Sequence, residues 1–176
     1  MPKTFEKDFI SYCNNQELEV NPNQIAVIKK LEQYYQSNFK SFFSKLFSKQ
    51  NSKKGFYLFG GVGVGKTMIL NFFIDQIDQK KLRQHFNEFM LSFHDFAHER
   101  KGKNEENVIN QFVKNLKSKA SLIYFDEFQV TNIVDAMILG KLFDQIFKEN
   151  IKIIVTSNTK ISDLYKDCLL YTSPEP

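Results

Sequence analysis

Arginine is scarce in this 176-residue chain: Arg83 and Arg100 are the only two among 24 basic residues. Bidentate recognition of phosphates and bases favours arginine. A net charge of +4 carried by lysine is therefore no strong nucleic-acid signal. The densest basic stretch, Lys49 to Lys54, reads as a solvated linker. No apolar run approaches the ~20 residues that span a bilayer. The N-terminus, MPKTFEKDFISYCNN, carries acids and lacks an apolar stretch bounded by a cleavage site, unlike a signal or transit peptide. The expectation is a cytoplasmic protein that is not transmembrane. Two cysteines, Cys13 and Cys168, without a CxxC or a Cys/His cluster, suit reduced thiols and no metal site. His94 and His98 stand at i, i+4 but lack the HExxH arrangement and any third ligand, so they read as surface features. His85 reads as lying mid-strand.

Proline is absent between Pro22 and Pro174, which permits a long uninterrupted series of helices and strands. Asn21-Pro22-Asn23-Gln24 predicts a helix start, with Asn21 as N-cap and Gln24 returning a bond. Ile25, Ile28, Leu31 and Tyr35 follow at helical spacing, and Phe39, Phe42, Phe43, Leu46 and Phe47 continue it beyond a break near Ser37-Asn38. Apolar runs at Phe56–Phe59 and Leu122–Phe125 predict strands, and Leu82–Met90 and Ile151–Val155 read as two more. Amphipathic helices are expected after Thr67, over 92–100, through Val108, Ile109, Phe112 and Leu116, and over 132–148. Strands alternating with helices imply an α/β fold, a parallel sheet covered on both faces. The expected organisation is an N-terminal helical segment at 1–50, a core at 51–167 and an atypical tail at 168–176.

Glycine is concentrated where chemistry is expected: five of seven fall between Gly55 and Gly65. Gly60-Gly61-Val62-Gly63-Val64-Gly65-Lys66-Thr67 is a P-loop, set between an apolar strand and an amphipathic helix. Its glycines let the backbone turn so that N–H groups point at phosphate oxygens, and the following helix adds its partial positive charge. Lys66 is expected to reach the β- and γ-phosphates of ATP, and the Thr67 hydroxyl to ligate Mg2+. Asp126-Glu127 closes the strand Leu122–Phe125, at the end where α/β sheets bind ligands. Asp126 is expected to hold the metal ion and Glu127 to polarise a water, help typically worth about 10²–10⁴-fold in rate. Asn158, after the next strand, is placed to orient that water. Hydrolysis is favoured over phosphoryl transfer to a small molecule, because the helix 132–148 stands where such kinases carry an arginine-bearing lid.

GFYLFGGVGVGKT (55–67), HFNEFM (85–90), YFDEFQVTNIVDAMILGKLF (124–143) and VTSNTKISDLY (155–165) together resemble the AAA+ P-loop ATPases that include the cell-division protein ZapE and mitochondrial AFG1-type proteins. The resemblance covers about residues 22–167. It implies a homo-oligomeric ring whose sites are completed by an arginine from a neighbouring subunit. It also implies protein partners, FtsZ at the division ring or inner-membrane proteins, and a position peripheral to that membrane. It assigns Lys66 and Thr67 to nucleotide, Asp126 and Glu127 to magnesium and hydrolysis, and Asn158 to sensor 1. Two departures stand out: Ile161 replaces a proline, and after Asp167 the family continues with an arginine-bearing stretch, another core strand and a helical portion. Here the sequence reads Cys168 to Pro176, so a C-terminally truncated chain is expected, with Phe56–Phe59 left as a sheet edge. An arginine finger contributes about 10³–10⁵ in rate, and neither Arg83 nor Arg100 matches its position, so slow hydrolysis is expected. A helicase loader acting with single-stranded DNA, sharing the AAA+ core, is the alternative; its basic DNA surface is not evident.

Overall fold

A computed structural model describes residues 4–39, 54–130 and 132–164. The aromatic stripe Phe42 to Phe47, most of the Lys49–Lys54 cluster, Cys168 and the tail lie outside them. The described residues fall into two compact units. One takes the chain up to Phe56 together with Gly63–Asp78, and the other takes Tyr57–Val62 and the chain from Gln79 onward.

Among the described residues the first unit holds three helices: α1 (Phe5–Asn15), α2 (Pro22–Phe39) and α3 (Lys66–Asp75). No periodicity had been assigned to α1, yet Phe5, Phe9 and Cys13 recur every four residues and all three are buried. Phe5 meets Phe73 edge-on at 5.7 Å, and Phe9 meets Phe72 at 5.1 Å. At α2, Asn21 caps as expected, its Oδ1 accepting from the Asn23 N–H at 2.9 Å. Gln24 does not return the bond; its side chain turns instead to the carbonyl of Val64. The helix runs through Ser37-Asn38 unbroken, with both side chains donating back to the Tyr34 carbonyl, at 3.0 and 2.9 Å. Burial pushes the Cys13 thiol up.

The second unit holds a four-stranded sheet in the order β1-β4-β3-β2, formed by β1 (Gly55–Phe59, from Tyr57 onward in this unit), β2 (Lys81–His85), β3 (Leu122–Asp126) and β4 (Lys152–Ser157). β2 pairs parallel with β3, and β3 with β4. Every residue of β3 and β4 is buried, as a strand covered on both faces requires. Ile123, Phe125, Ile153 and Val155 share one core with three helices, α4 (Phe86–His98), α5 (Glu105–Lys119) and α6 (Ile133–Lys148). β1 lies at an edge among the described residues, as expected.

The strand expected over Leu82–Met90 ends at His85, where α4 begins, so His85 is a helix N-cap position and not mid-strand. Phe86, Phe89, Met90 and Phe93 follow the helical i, i+3, i+4, i+7 rule, and all four are buried. Packing fixes the helix there: Phe86 stands 4.4 Å from Phe128, and Phe89 stands 4.7 Å from Phe125. Asn104 and Asn132 cap α5 and α6 by accepting from the second N–H of each helix. His94 on α4 bonds Asp135 on α6 through Nε2 at 2.6 Å.

Candidate functional site

The P-loop begins in the second unit and ends in the first. In the first unit, Gly63 and Gly65 adopt φ of +81° and +84°, left-handed conformations that disfavour side chains. A Cβ at Gly65 would stand 2.6 Å from Nε2 of Gln24, so a side chain there would displace the Gln24 amide. Gly65 occupies the N-cap position of α3, so Lys66 and Thr67 are its first two residues. Their backbone N–H groups belong to the helix start, which lacks intrahelical acceptors and suits an anion. Thr67 is exposed.

In the second unit, hydrogen bonds sew the carboxyl ends of β1, β3 and β4 together. The Gly60 N–H donates to the Ser157 carbonyl at 3.2 Å, and the Phe128 N–H to the Thr156 carbonyl at 2.7 Å. Ser157 Oγ donates to the Phe128 carbonyl at 2.7 Å and accepts from the Thr159 N–H at 3.1 Å. Tyr57 Oη donates to the Thr159 carbonyl at 2.8 Å. This stitching brings Gly60, Asp126, Glu127 and Asn158 to one end of the sheet, where parallel strands carry their ligands.

Asp126 is buried, and two side chains hold its carboxylate. Thr156 Oγ1 donates to Oδ1 at 2.7 Å, and the Arg83 guanidinium pairs with Oδ2 at 2.9 Å. Burial by itself raises the Asp126 carboxyl. The hydrogen bonds from Thr156 and Arg83, with the charge of Arg83, outweigh it and hold the group below its ordinary value. Arg83 lies 5.4 Å above the Tyr124 ring. Beneath it, burial and the Asp126 charge push the Tyr124 phenol up. The neighbouring Glu127 is exposed and has φ of +53°, left-handed for a residue with a Cβ. Its N–H is held by Thr156 Oγ1 at 3.3 Å. Such a conformation costs about 1–2 kcal/mol and persists where the surroundings impose it.

An ionised, buried carboxylate and an exposed hydroxyl are hard oxygen donors, the type that Mg2+ takes. Among the described residues no three His, Cys, Asp or Glu gather to hold a metal ion. Each donor alone suits a cation bound through one or two protein oxygens plus substrate phosphates, as Mg2+ is.

Arg83, Thr156 and Ser157 escaped the sequence reading. Arg83 had one usable signal: β2 places it beside Tyr124 in register, and Asp126 follows two residues on, on the same face. Register is a property of pairing and is not written in either strand alone.

A model of the AFG1-like ATPase family matches residues 7–173. The chain belongs to the AFG1-like ATPase family. Lactation elevated protein 1 homolog B of Danio rerio is 37% identical over 132 residues, covering 69% of this chain and 26% of that protein. Cell division protein ZapE of Escherichia coli (strain K12) is 34% identical over 125 residues, covering 69% of this chain and 32% of that protein. This AFG1-like chain thus spans about a quarter to a third of the length of these relatives. Among solved structures, DnaI superposes with a TM-score of 0.56 at 19% identity, covering 89% of this chain and 80% of that one. AMPPCP-bound DnaA from Aquifex aeolicus gives 0.57 at 15% identity, covering 93% and 44%. At these identities the likeness shows the shared fold, a parallel AAA+ P-loop sheet flanked by helices.

Proposed function

We propose that this AFG1-like chain binds ATP with Mg2+ and, within a homo-oligomeric ring, hydrolyses it to drive work on a protein partner. The observation that carries this reading is the backbone of the P-loop, left-handed at Gly63 and Gly65 and opening onto the N-terminus of α3. In this reading Gly60 to Gly65 wrap the phosphates with N–H groups and Lys66 meets their negative charge. Thr67 and Asp126 hold the metal ion, which when bound neutralises charge on the β- and γ-phosphates. Glu127 accepts the proton of the attacking water, and Asn158 orients that water. The left-handed backbone at Glu127 supports a catalytic role, since strain of that kind gathers at functional sites. The domain assignment follows the same reading: helices at 1–50 lead into an ATPase core at 51–167, with 168–176 as a tail.

Isothermal titration with ATP and Mg2+ tests the binding half. The chain is expected to bind, and Lys66→Ala to bind at least about tenfold more weakly; equal affinities defeat the proposal. Without an arginine from a neighbour, turnover by the chain alone is expected to be slow. Steady-state phosphate release that matches a full-length relative and vanishes in Glu127→Gln would overturn that.

The kinship with a protein named for cell division motivates a partner at the division ring or inner membrane, FtsZ among the candidates. Cosedimentation with FtsZ polymers, with and without ATP, tests it. Nucleotide-dependent binding of single-stranded DNA, measured by fluorescence polarisation, would instead favour the helicase-loader reading.

A further inference from the structure

Gln24 reaches the P-loop from elsewhere in the first unit. Its Nε2 donates to the Val64 carbonyl at 3.2 Å, bridging 40 residues of sequence. A carbonyl only accepts, so the amide nitrogen must face Val64 and the amide oxygen must face away. That oxygen, Oε1, is buried and has no hydrogen-bond partner among the described residues. Gly65 supports the arrangement, because any side chain there would drive a Cβ to 2.6 Å from Nε2. The amide is therefore pinned at one end and presents an unsatisfied acceptor at the other. Buried acceptors without donors are rare and unfavourable, and a bound ligand is one of the few ways to supply the missing donor.

We propose that Gln24 reads the base of the bound nucleotide, its Oε1 accepting from the 6-amino group of adenine. This rests on the nucleotide-binding reading above. Among the purine bases compared, adenine alone carries a donor at ring position 6. Guanine and hypoxanthine carry a carbonyl oxygen there, which would set two acceptors against each other. Gln24 thus joins two tasks in one side chain: Nε2 holds the backbone of the phosphate-binding loop, and Oε1 selects ATP over 6-oxopurine triphosphates. Rejecting an analogue that leaves a buried polar group unpaired is the stronger form of discrimination available to a site.

ATP and inosine triphosphate differ at position 6, amino against oxo, and in the proton that N1 carries only in inosine, so the pair probes the purine edge that Gln24 would read. The experiment titrates the full chain with each in the presence of Mg2+, by calorimetry or by displacement of a fluorescent ATP analogue. The same titrations follow on Gln24→Ala and Lys66→Ala, with thermal unfolding confirming that each variant is folded. The wild type is expected to prefer ATP by about tenfold or more, and Gln24→Ala to bring the two within about twofold. Lys66→Ala weakens both nucleotides and keeps their ratio. A wild type that binds both alike overturns the inference while leaving the phosphate site intact. Equal weakening of both by Gln24→Ala, with the ratio unchanged, also overturns it and reduces Gln24 to a brace. If neither nucleotide binds the wild type, the nucleotide-binding reading itself fails. Should Gln24→Ala not fold, the wild-type ratio and that of Gln24→Met decide.

Discussion

Asp126 depends on two neighbours of different kinds, and they set what each substitution does. The Arg83 side chain is about half exposed, so its charge is partly screened by water; the carboxylate it pairs with is 8% exposed. Arg83→Gln should lower stability by about 1–3 kcal/mol, the penalty for a buried group losing a partner, read from urea unfolding. The pH dependence has a fixed sign. A carboxyl held below its ordinary value in the folded state contributes stability above its unfolded pKa, and that contribution fades as pH falls through the folded value. Acidification from neutrality to about pH 3 should therefore destabilise the wild type more than Arg83→Gln, whose Asp126 has lost much of that depression. Equal acid sensitivity of the two proteins would contradict the pairing.

Glu127 is a second case at this scale. Its backbone pays a penalty at φ of +53° that glycine would not. Removing the side chain by Glu127→Gly or Glu127→Ala should abolish turnover equally. The glycine variant should still be the more stable by about 1 kcal/mol in thermal unfolding.

At the scale of elements, α1 was hidden and β2 was overextended, for opposite reasons. The Phe5, Phe9, Cys13 spacing was present in the sequence, but its buried stripe is three residues wide and sits among charges. Nothing in it announces burial until Phe72 and Phe73 of α3 are seen opposite. The helix α4 carries four buried apolar residues at helical spacing, yet they follow the β2 residues without a break, and the switch at His85 has no proline or glycine to mark it. Phe9→Ala should destabilise by about 3–5 kcal/mol in urea unfolding, as loss of a fully buried aromatic does. A loss below about 1 kcal/mol would mean that α1 is not docked through this face. Gln24 shows the limit of local rules: its sequence context fits a capping box, and a distant carbonyl takes the amide instead.

At the scale of the whole chain, the sheet, its parallel sense and the acids at its carboxyl end were legible, because each rests on contiguous motifs. The stitching by Thr156, Ser157 and Tyr57 was not, since it joins residues that share no segment. Strand order has a practical consequence. β1 stands at an edge of the sheet among the described residues, and Phe59 on it is 51% exposed. Phe59→Lys should reduce light scattering on heating without lowering the thermal midpoint, because charge on an edge discourages strand addition. Unchanged scattering would show that association proceeds elsewhere.

The Arg83–Asp126 pair also bears on how the protein waits between ligands. Many small metal-dependent domains unravel when a chelator strips the ion, because their acidic or thiolate ligands are left facing one another. Here the buried acid already owns a counter-charge from the neighbouring strand, and a hydroxyl satisfies its other oxygen. EDTA should therefore leave the unfolding curve where it was. The protein can idle, folded, with its acid kept in custody by an arginine.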